Sequence, residues 1–420
     1  ARTLFPNPFA DYASTTLPRN SREMFDICDF VFHANSPVRE ASRRVLAYFI
    51  TKIDVKKESG SALSDDEAAQ YNQYLSRTLA APAALQEWGL DYMCYGNMYL
   101  TVFEGFRRSV YCPKCAKEQR FTSVPISEFM NNPKYRYRWA PPKVTGRCTT
   151  DRCGYSGAWE VSDVRSQDPK DIFIKRWPPR QISVVTAENS KRRDYYWTMP
   201  ATYRTDVLRG SPILIESEPW EFIQAACNRE DIKFHPDALF HAAEPAPSGV
   251  DARGLGISRT LINYRHVWLW QLLYRQIEAI VADYVIPLRT ITPAPTNIAG
   301  AQGVEDPLLT VDGQSLQSHI AQALKTRNID PGQWHFLPVA VEGQILGGDA
   351  SKMIPAEILE HATAMLLNGF GFPVEMYKGS LDAKTSLPTI RLFVALWQPL
   401  VHVLNSAMSW VMQKVCTTAQ

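Results

Sequence analysis

The residues whose types and spacing point most directly to chemistry are four cysteines. Cys112 and Cys115 form one close pair, and Cys148 and Cys153 form a second pair after 32 intervening residues. Thiolates arranged as two short-spaced pairs converge on one tetrahedral zinc ion in zinc ribbons and knuckles. Four sulfur ligands leave no position open for water, so we expect a structural zinc site and not a catalytic one.

The alternatives for these cysteines are two disulfide bonds or four unrelated buried thiols. The other four of the chain's eight cysteines are scattered in mostly apolar, helix-like contexts, at Cys28, Cys94, Cys227 and Cys416. Such usage is typical of a reducing compartment, which favours zinc over disulfides. The N-terminal residues lack the long apolar core of a signal peptide, and the longest apolar run, Val267 to Tyr274, is too short to cross a bilayer. We therefore expect a soluble protein made inside the cell, without a membrane partner.

Basic residues surround the cysteines and invite a nucleic-acid interpretation. They are Arg107, Arg108, Lys117, Arg120, Lys134, Arg136, Arg138, Lys143, Arg147 and Arg152, interleaved with Tyr135 and Tyr137. The whole chain carries a net charge of only +2, with 45 basic and 43 acidic residues, so no overall attraction to nucleic acid follows. We favour a solvated basic face on a module that docks a partner protein, with nucleic-acid binding as the alternative.

Catalytic motifs are missing from the sequence. It contains no zinc-protease helix motif, no phosphate-binding P-loop, no nucleophile elbow and no zinc-deaminase signature. His235 and His241 flank a short apolar run and are expected to end a strand, not to bind metal. Gly347 and Gly348, ahead of Ser351 and Lys352, indicate a flexible loop without the P-loop motif. We expect a protein that is not an enzyme.

The chain is long enough for two or three domains, and its 45% apolar and 21% charged residues are typical of a folded protein. In the first half, capping residues and periodicity predict helices over 22–34, 37–53, from Ser64, 81–96 and 217–228, and strands over 97–104, 171–175, 181–186, 194–199, 232–234 and 238–241. The pair Ser36-Pro37 is expected to cap the second helix. The cysteine module interrupts this pattern over residues 110–158.

The second half begins with a predicted helix over 258–285, about 42 Å long at 1.5 Å per residue. It is apolar on more than one face, so we expect it to be buried between neighbours, including neighbouring subunits. The pattern after it predicts a loose segment over 287–312, a polar helix over 314–326, a strand over 335–342, a polar loop to 352, a helix over 355–368 and an apolar element over 386–415 with a kink at Pro399.

Four short segments, in order along the chain, carry a family resemblance. They are Asn35-Ser-Pro-Val-Arg39 before a helix, Tyr95-Gly-Asn-Met-Tyr99 between a helix and a strand, Gly254-Leu-Gly-Ile-Ser258 before the long helix, and Gly369-Phe-Gly-Phe-Pro373 before a short helix that closes at Gly379. Together they resemble portal proteins of tailed bacteriophages and span most of the chain. The cysteine module is a departure from that family, and it would be an insertion.

The resemblance implies a ring, usually a dodecamer, at one vertex of the virion capsid. Double-stranded DNA passes through such a ring during DNA packaging and DNA ejection. The terminase motor docks on it first, and the head-tail adaptor protein docks later, beside the major capsid protein. The implied function is that of a structural head-tail connector that assembles in the host cytoplasm.

The implied fold is α+β, with a mixed α/β wing that carries the zinc-ribbon insertion, long central helices, a small clip and a helical C-terminal region. Carried onto the chain, the parts are an N-terminal helical part of the wing (1–109), the cysteine insertion (110–158), a β-rich part of the wing (159–256), stem helices and a small clip (257–330), a tunnel loop and wing helix (331–384) and a helical crown or crown base (385–420). The tunnel-loop position offers Gln344, Asp349, Ser351 and Lys352 to the DNA. The alternative function is a zinc-ribbon nucleic-acid-binding protein or enzyme.

Overall fold

The structure, a computed structural model, mixes helices and sheets. It describes residues 21–51, 53, 55, 64–118, 123–187, 192–248, 253–285, 288–293, 318, 321–322, 325, 341–346, 356–379 and 386–418. Most of the predicted polar helix over 314–326 and most of the predicted strand over 335–342 lie outside these residues, and the residues described in the first range (318, 321–322 and 325) are helical. The presence of both helices and antiparallel sheets confirms an α+β fold.

The described residues form fourteen α-helices. They are α1 (Ser21–Ala34), α2 (Ser36–Phe49), α3 (Asp65–Gln73, continued by a π-helical turn Tyr74–Thr78), α4 (Ala81–Tyr95), α5 (Pro113–Lys117), α6 (Ile126–Asn131), α7 (Ala201–Arg209), α8 (Pro212–Ser217), α9 (Trp220–Asn228), α10 (Arg259–Ile262), α11 (Tyr264–Val285), α12 (Ala356–Gly369), α13 (Val374–Lys378) and α14 (Ser386–Thr418). Sequence periodicity anticipated α1, α4, α9 and α12 closely but missed α5, α6, α7 and α8. Three of these are shorter than two turns, and the nine-residue α7 buries only Val207, so none shows a repeating apolar face.

The strands within the described residues form four antiparallel sheets. They are β1 (Asn97–Glu104), β2 (Phe106–Tyr111), β3 (Ser123–Pro125), β4 (Arg138–Ala140), β5 (Lys143–Arg147), β6 (Ser156–Arg165), β7 (Ile172–Trp177), β8 (Ile182–Thr186), β9 (Arg193–Trp197), β10 (Ile232–Lys233), β11 (Leu239–Ala243), β12 (Leu288–Pro293) and β13 (Val341–Leu346). The sheet orders are β11-β1-β7, β10-β9-β8, β12-β13 and β3-β2-β6-β5-β4.

Two compact units divide the chain. The first comprises residues 1–268 and 362–420, and the second comprises residues 269–361. The described part of the first unit contains three clusters of buried side chains: one between the helices and the β1 sheet, one under β9, and one inside the cysteine module. The described part of the second unit contains most of α11, the two-stranded sheet β12-β13 and the start of α12.

Helix caps follow local chemistry, with one correction. The predicted cap at Ser64 is present as a capping box, in which Ser64 and Glu67 satisfy each other's backbone amides. The cap of α2 is Asn35 and not Ser36, because the Asn35 Oδ1 atom accepts a hydrogen bond from the Val38 amide at 3.1 Å. Helix α2 also ends at Phe49, four residues before the predicted end at 53.

The central segment corrects three expectations. The helix predicted over 258–285 is interrupted at Asn263, which separates α10 from α11. The loose segment predicted from 287 contains strand β12, and the polar loop predicted from 343 contains most of strand β13. These two strands pair with each other, with Thr290 opposite Gln344. Local patterns could not find this strand pair because the pairing joins residues about fifty positions apart.

The C-terminal helix α14 is the longest element, and it runs without interruption through Pro399. By length and mean hydropathy, the stretch Leu387–Thr417 could cross a membrane, a property that core helices of soluble proteins share. One stripe of α14 packs into the main core through Phe393, Trp397, Leu400, Leu404, Ala407, Val411 and Val415. The other side exposes Leu387, Leu392 and Leu396.

The cysteine module is fastened to helices α8 and α9 by one buried arginine. The Arg108 side chain is fully buried and forms a two-pronged ion pair with Asp163, at 2.7 and 2.6 Å. It also donates to the carbonyl oxygens of Ile215 and Glu218, and its guanidinium lies over the Trp220 ring. Removing one member of a buried pair leaves an uncompensated charge, so the docking of the module depends on Arg108.

We expect Arg108→Ala to lower the free energy of unfolding by about 3 to 5 kcal/mol, because Asp163 and two carbonyl groups lose their partner. Chemical denaturation followed by tryptophan fluorescence measures the change. The control is Arg165→Ala, because Arg165 is 76% exposed and lies 3.6 Å from Glu104, and loss of such a surface pair costs about 1 kcal/mol or less. Equal losses in the two variants would contradict the anchoring role.

Candidate metal centre and helix junction

The four predicted cysteines meet in space. The Cys112 and Cys153 sulfurs lie 3.8 Å apart, the Cys115 and Cys148 sulfurs lie 3.7 Å apart, and all four ligand atoms lie within 4.8 Å of one another. A tetrahedral ion with metal–sulfur bonds of about 2.3 Å has sulfur–sulfur edges of about 3.8 Å. A disulfide would bring two sulfurs to about 2.05 Å. The cluster can therefore hold a metal ion, and the disulfide alternative is wrong.

Two short connections between strands present these sulfurs. Cys112 follows strand β2, and Cys115 lies on the short helix α5 that begins at Pro113. The second loop joins β5 to β6, where the Cys148 amide donates to the Tyr155 carbonyl at 2.8 Å. Arg152 and Gly154 adopt positive φ angles of 63° and 59° on either side of Cys153, which turns the chain tightly. Lys114 donates from Nζ to the Cys153 carbonyl at 3.1 Å and ties the two loops together.

All four thiols are buried. Burial raises the pKa of the Cys115 thiol to about 12, and it also raises the pKa of Cys112. A metal ion must displace these protons when it binds, so binding releases protons and weakens as the pH falls. With four sulfur ligands and no open position, the centre is suited to hold structure, not to activate water.

A second constellation, which we call the helix junction, comprises Gly96–Asn97, Gly256–Ser258, Asn263 and Gly369–Gly371. The buried Asn97 side chain donates to the Gly256 carbonyl at 3.0 Å and accepts from the Gly256 amide at 2.9 Å. A side chain on Gly256 would approach the Gly96 carbonyl and the Glu244 amide to well under 3 Å. The end of α4 and the segment before α10 are therefore in direct backbone contact.

The junction also starts the central helices. The Ser258 hydroxyl caps α10 by accepting from the Thr260 amide at 2.9 Å, and it donates to the Cys94 carbonyl at 2.5 Å. The buried Asn263 donates to the Gly369 carbonyl at 2.9 Å, at the end of α12. Sequence reasoning noted Asn97, Gly256, Ser258 and Gly369 as parts of motifs, but nothing in the sequence indicated the bridging role of Asn263.

Helix α14 completes the junction through Arg259. The Arg259 guanidinium lies 4.2 Å from the centre of the Trp397 ring and donates to Glu244 at 3.0 Å. The Trp397 ring nitrogen donates to the Gly371 carbonyl at 3.0 Å. One buried tryptophan thus joins α14 to the turn after α12.

The two histidines behave as structural residues. His241 lies on strand β11, stacks on Tyr99 with ring centres 4.3 Å apart, and is within 3.2 Å of the Asn97 Oδ1 atom. Burial lowers the pKa of His241 to about 3, with a smaller contribution from Arg193, so the ring is neutral at physiological pH. His235 is exposed and lies outside any metal-type cluster in the described part of the chain.

The predicted tunnel-loop residues are not assembled into a described site. Gln344 lies on strand β13 and not in a loop. Asp349, Ser351 and Lys352 fall outside the described residues. Their contact with DNA stays a prediction.

For the metal centre we expect Cys112→Ser to reduce bound metal from about one ion per chain to near zero and to lower the Tm by about 10 °C, because one missing ligand opens the cluster. Elemental analysis and a thermal melt measure the two effects. The control is Cys416→Ser, because Cys416 is exposed and lies far from the cluster in sequence. A fully folded Cys112→Ser protein without metal would contradict the structural role.

For the helix junction we expect Gly256→Ala to lower the free energy of unfolding by about 3 kcal/mol, because the added methyl group has no space. Gly379→Ala is the matched control. Gly379 has a positive φ of 70°, and a Cβ atom added there would meet no atom within 4 Å. The substitution therefore costs only the backbone strain, about 1 to 2 kcal/mol. Denaturant unfolding compares the two, and a smaller loss for Gly256→Ala would show that the contact relaxes easily.

No family model matches the chain, and no curated protein matches it.

Proposed function

We propose that this chain is a portal protein, which forms a ring at one capsid vertex through which DNA is packaged and ejected. The observation that carries the proposal is the helix junction. Two of the four segments that resemble the family are bonded to each other there, through Asn97 and Gly256, although they are far apart in the chain. A third segment, at Gly369, is bonded to Asn263, five residues after the second segment. The junction thus brings three of the four segments into one framework, which supports reading the resemblance as a whole.

Exposed apolar side chains on long helices support an oligomer. Leu387 and Leu392 on α14 are each 59% exposed, and Leu272 on α11 is 49% exposed. Isolated exposed leucines are ordinary, but long helices that are apolar on more than one side need partners to cover them. A closed ring supplies such partners because each subunit contacts a neighbour on two different surfaces.

The metal in the cysteine cluster is proposed to be zinc. The sulfur–sulfur distances match the bond length of zinc, and an all-cysteine tetrahedral set is the usual structural zinc site. In the portal, this zinc would stabilise an insertion in the wing, and the protein would have no catalytic activity.

The remaining parts follow from the family. The ring would pass double-stranded DNA and dock the terminase, then the head-tail adaptor protein, beside the major capsid protein in the virion. Stem and clip would lie within 257–330, the tunnel loop and wing helix within 331–384, and the crown within 385–420. The modest net charge of +2 fits a channel that must let phosphates slide.

The test is the mass of the purified protein by native mass spectrometry. We expect a species near twelve times the 47.5 kDa of one chain, with about one zinc per chain. A monomer or dimer that binds nucleic acid with a steep salt dependence would favour the alternative, a zinc-ribbon nucleic-acid-binding protein or enzyme. Turnover of a nucleic-acid substrate by the purified protein would count against the portal in either state.

A further inference from the structure

We propose that the ring closes through opposite charges on two sides of the cysteine module: the basic face of the five-stranded sheet in one subunit binds the side of helices α7–α9 that exposes Glu216 and Glu221 in the next. This inference rests on the proposed ring and adds how neighbouring subunits meet. The occupant of the basic face is a second copy of this chain.

The two surfaces lie on opposite sides of the sheet. In strand β5, Val144 and Gly146 are buried toward the module's core, whereas Lys143 and Arg147 alternate with them and point the other way. Arg138 on β4 pairs with Thr145, so it shares the outer side. We call this outer side the basic face.

Helices α7–α9 cover the inner side of the same sheet. Ile215 of α8 is part of the module's core, and the Trp220 amide of α9 donates to Asp163 at 3.1 Å. Trp139 of β4 points inward and donates from its ring nitrogen to the Val207 carbonyl of α7 at 3.0 Å. The sheet therefore separates the basic face from these helices, and their exposed side faces away from it.

The charges on the two sides differ in sign. Residues 107–165 contain twelve basic and five acidic residues, and a divalent ion on four thiolates would subtract two positive charges. Residues 201–237, from the start of α7, contain seven acidic and four basic residues. The small net charge of the whole chain hides this separation.

The charged groups that would meet are unpaired within the subunit. Among the described residues, Arg138, Lys143 and Arg147 are exposed and make no ion pair, and the same holds for Glu216 and Glu221. Glu160 also lies on the outer side, next to Tyr111. Ile213 on α8 is 74% exposed beside Glu216, and Val164 on the outer side of β6 is 62% exposed, so each surface also offers an apolar side chain.

Opposite faces of opposite charge suit a heterologous contact. Such a contact joins two different surfaces of identical subunits and closes into a ring when the rotation allows. Complementary charges steer the encounter and select the partner, more than they add affinity. If the basic face bound only DNA, the exposed Glu216 and Glu221 on the other side of the sheet would have no role in that binding. A protein that lets DNA pass through a channel also gains nothing from tight phosphate binding.

The test uses two charge-reversed full-length chains. The acidic-face chain carries Arg138→Glu, Lys143→Glu and Arg147→Glu, and the basic-helix chain carries Glu216→Lys and Glu221→Lys. In a ring built from either chain alone, every subunit contact would bring like charges together. We therefore expect each chain by itself to have a mass near the 47.5 kDa of a single chain in native mass spectrometry. Mixed in equal amounts, they should return to the ring mass, because every contact in an alternating ring then pairs opposite charges.

A control chain carries Arg43→Glu, Arg77→Glu and Lys170→Glu, which reverse three charges outside both faces and should leave the ring mass unchanged. Metal content and the Tm check that each variant is folded. Raising NaCl from 0.1 to 1 M should dissociate the wild-type ring at least partly, because salt shortens the screening length from about 10 to about 3 Å.

The outcomes separate the two proposals. A single-chain wild-type protein would overturn the ring and this contact together. A wild-type ring with both variants also forming rings would overturn only the charge contact. If the acidic-face chain still formed rings but lost binding to a random-sequence 30-base-pair DNA duplex, the basic face would be a nucleic-acid surface, and the inference would be wrong.

Discussion

The hydrogen bonds between the Asn97 amide and the Gly256 backbone are the constraint on which the larger unit depends. Asn97 has no exposed surface, so its donor and acceptor must both be satisfied inside the protein. Gly256 satisfies both, and only glycine leaves room for this approach. This contact fixes the start of strand β1 against the segment that leads into the central helices. Ser258, Asn263 and Trp397 then extend the same framework to α10, α12 and α14.

The cysteine module solves a different problem. A segment of about fifty residues buries too little apolar surface to be stable without help, and a metal ion or disulfides usually supply the difference. Here the four cysteines are themselves part of the buried cluster that contains Phe129, Trp159 and Ile215. The module does not end at that cluster, because Arg108 ties it to helices that follow it by about a hundred residues. Loss of metal should therefore disturb helices α8 and α9 as well as the module.

Charge acts in this protein through its placement and not through its total. A net charge of +2 predicts neither nucleic-acid binding nor self-association. The alternation of side chains across one sheet puts basic groups on one side, while helices that expose Glu216 and Glu221 cover the other. A ring built on such a contact would be more sensitive to salt than one built on apolar surfaces alone. In such a ring the exposed leucines of α14 would add apolar contacts.

The sequence by itself determined the candidate metal ligands, the helix cap at Ser64 and most of the regular elements of the first half, because these depend on residues close together in the chain. Cys112, Cys115, Cys148 and Cys153 could be chosen from their spacing, and Ser64 from its capping box. The tertiary structure alone decided the interruption at Asn263, the pairing of β12 with β13 and the anchoring role of Arg108. Each of these depends on a partner many residues away, such as Gly369 for Asn263 or Ile215 for Arg108. Local patterns carry no signal for such pairings, since they form only when packing brings distant segments together.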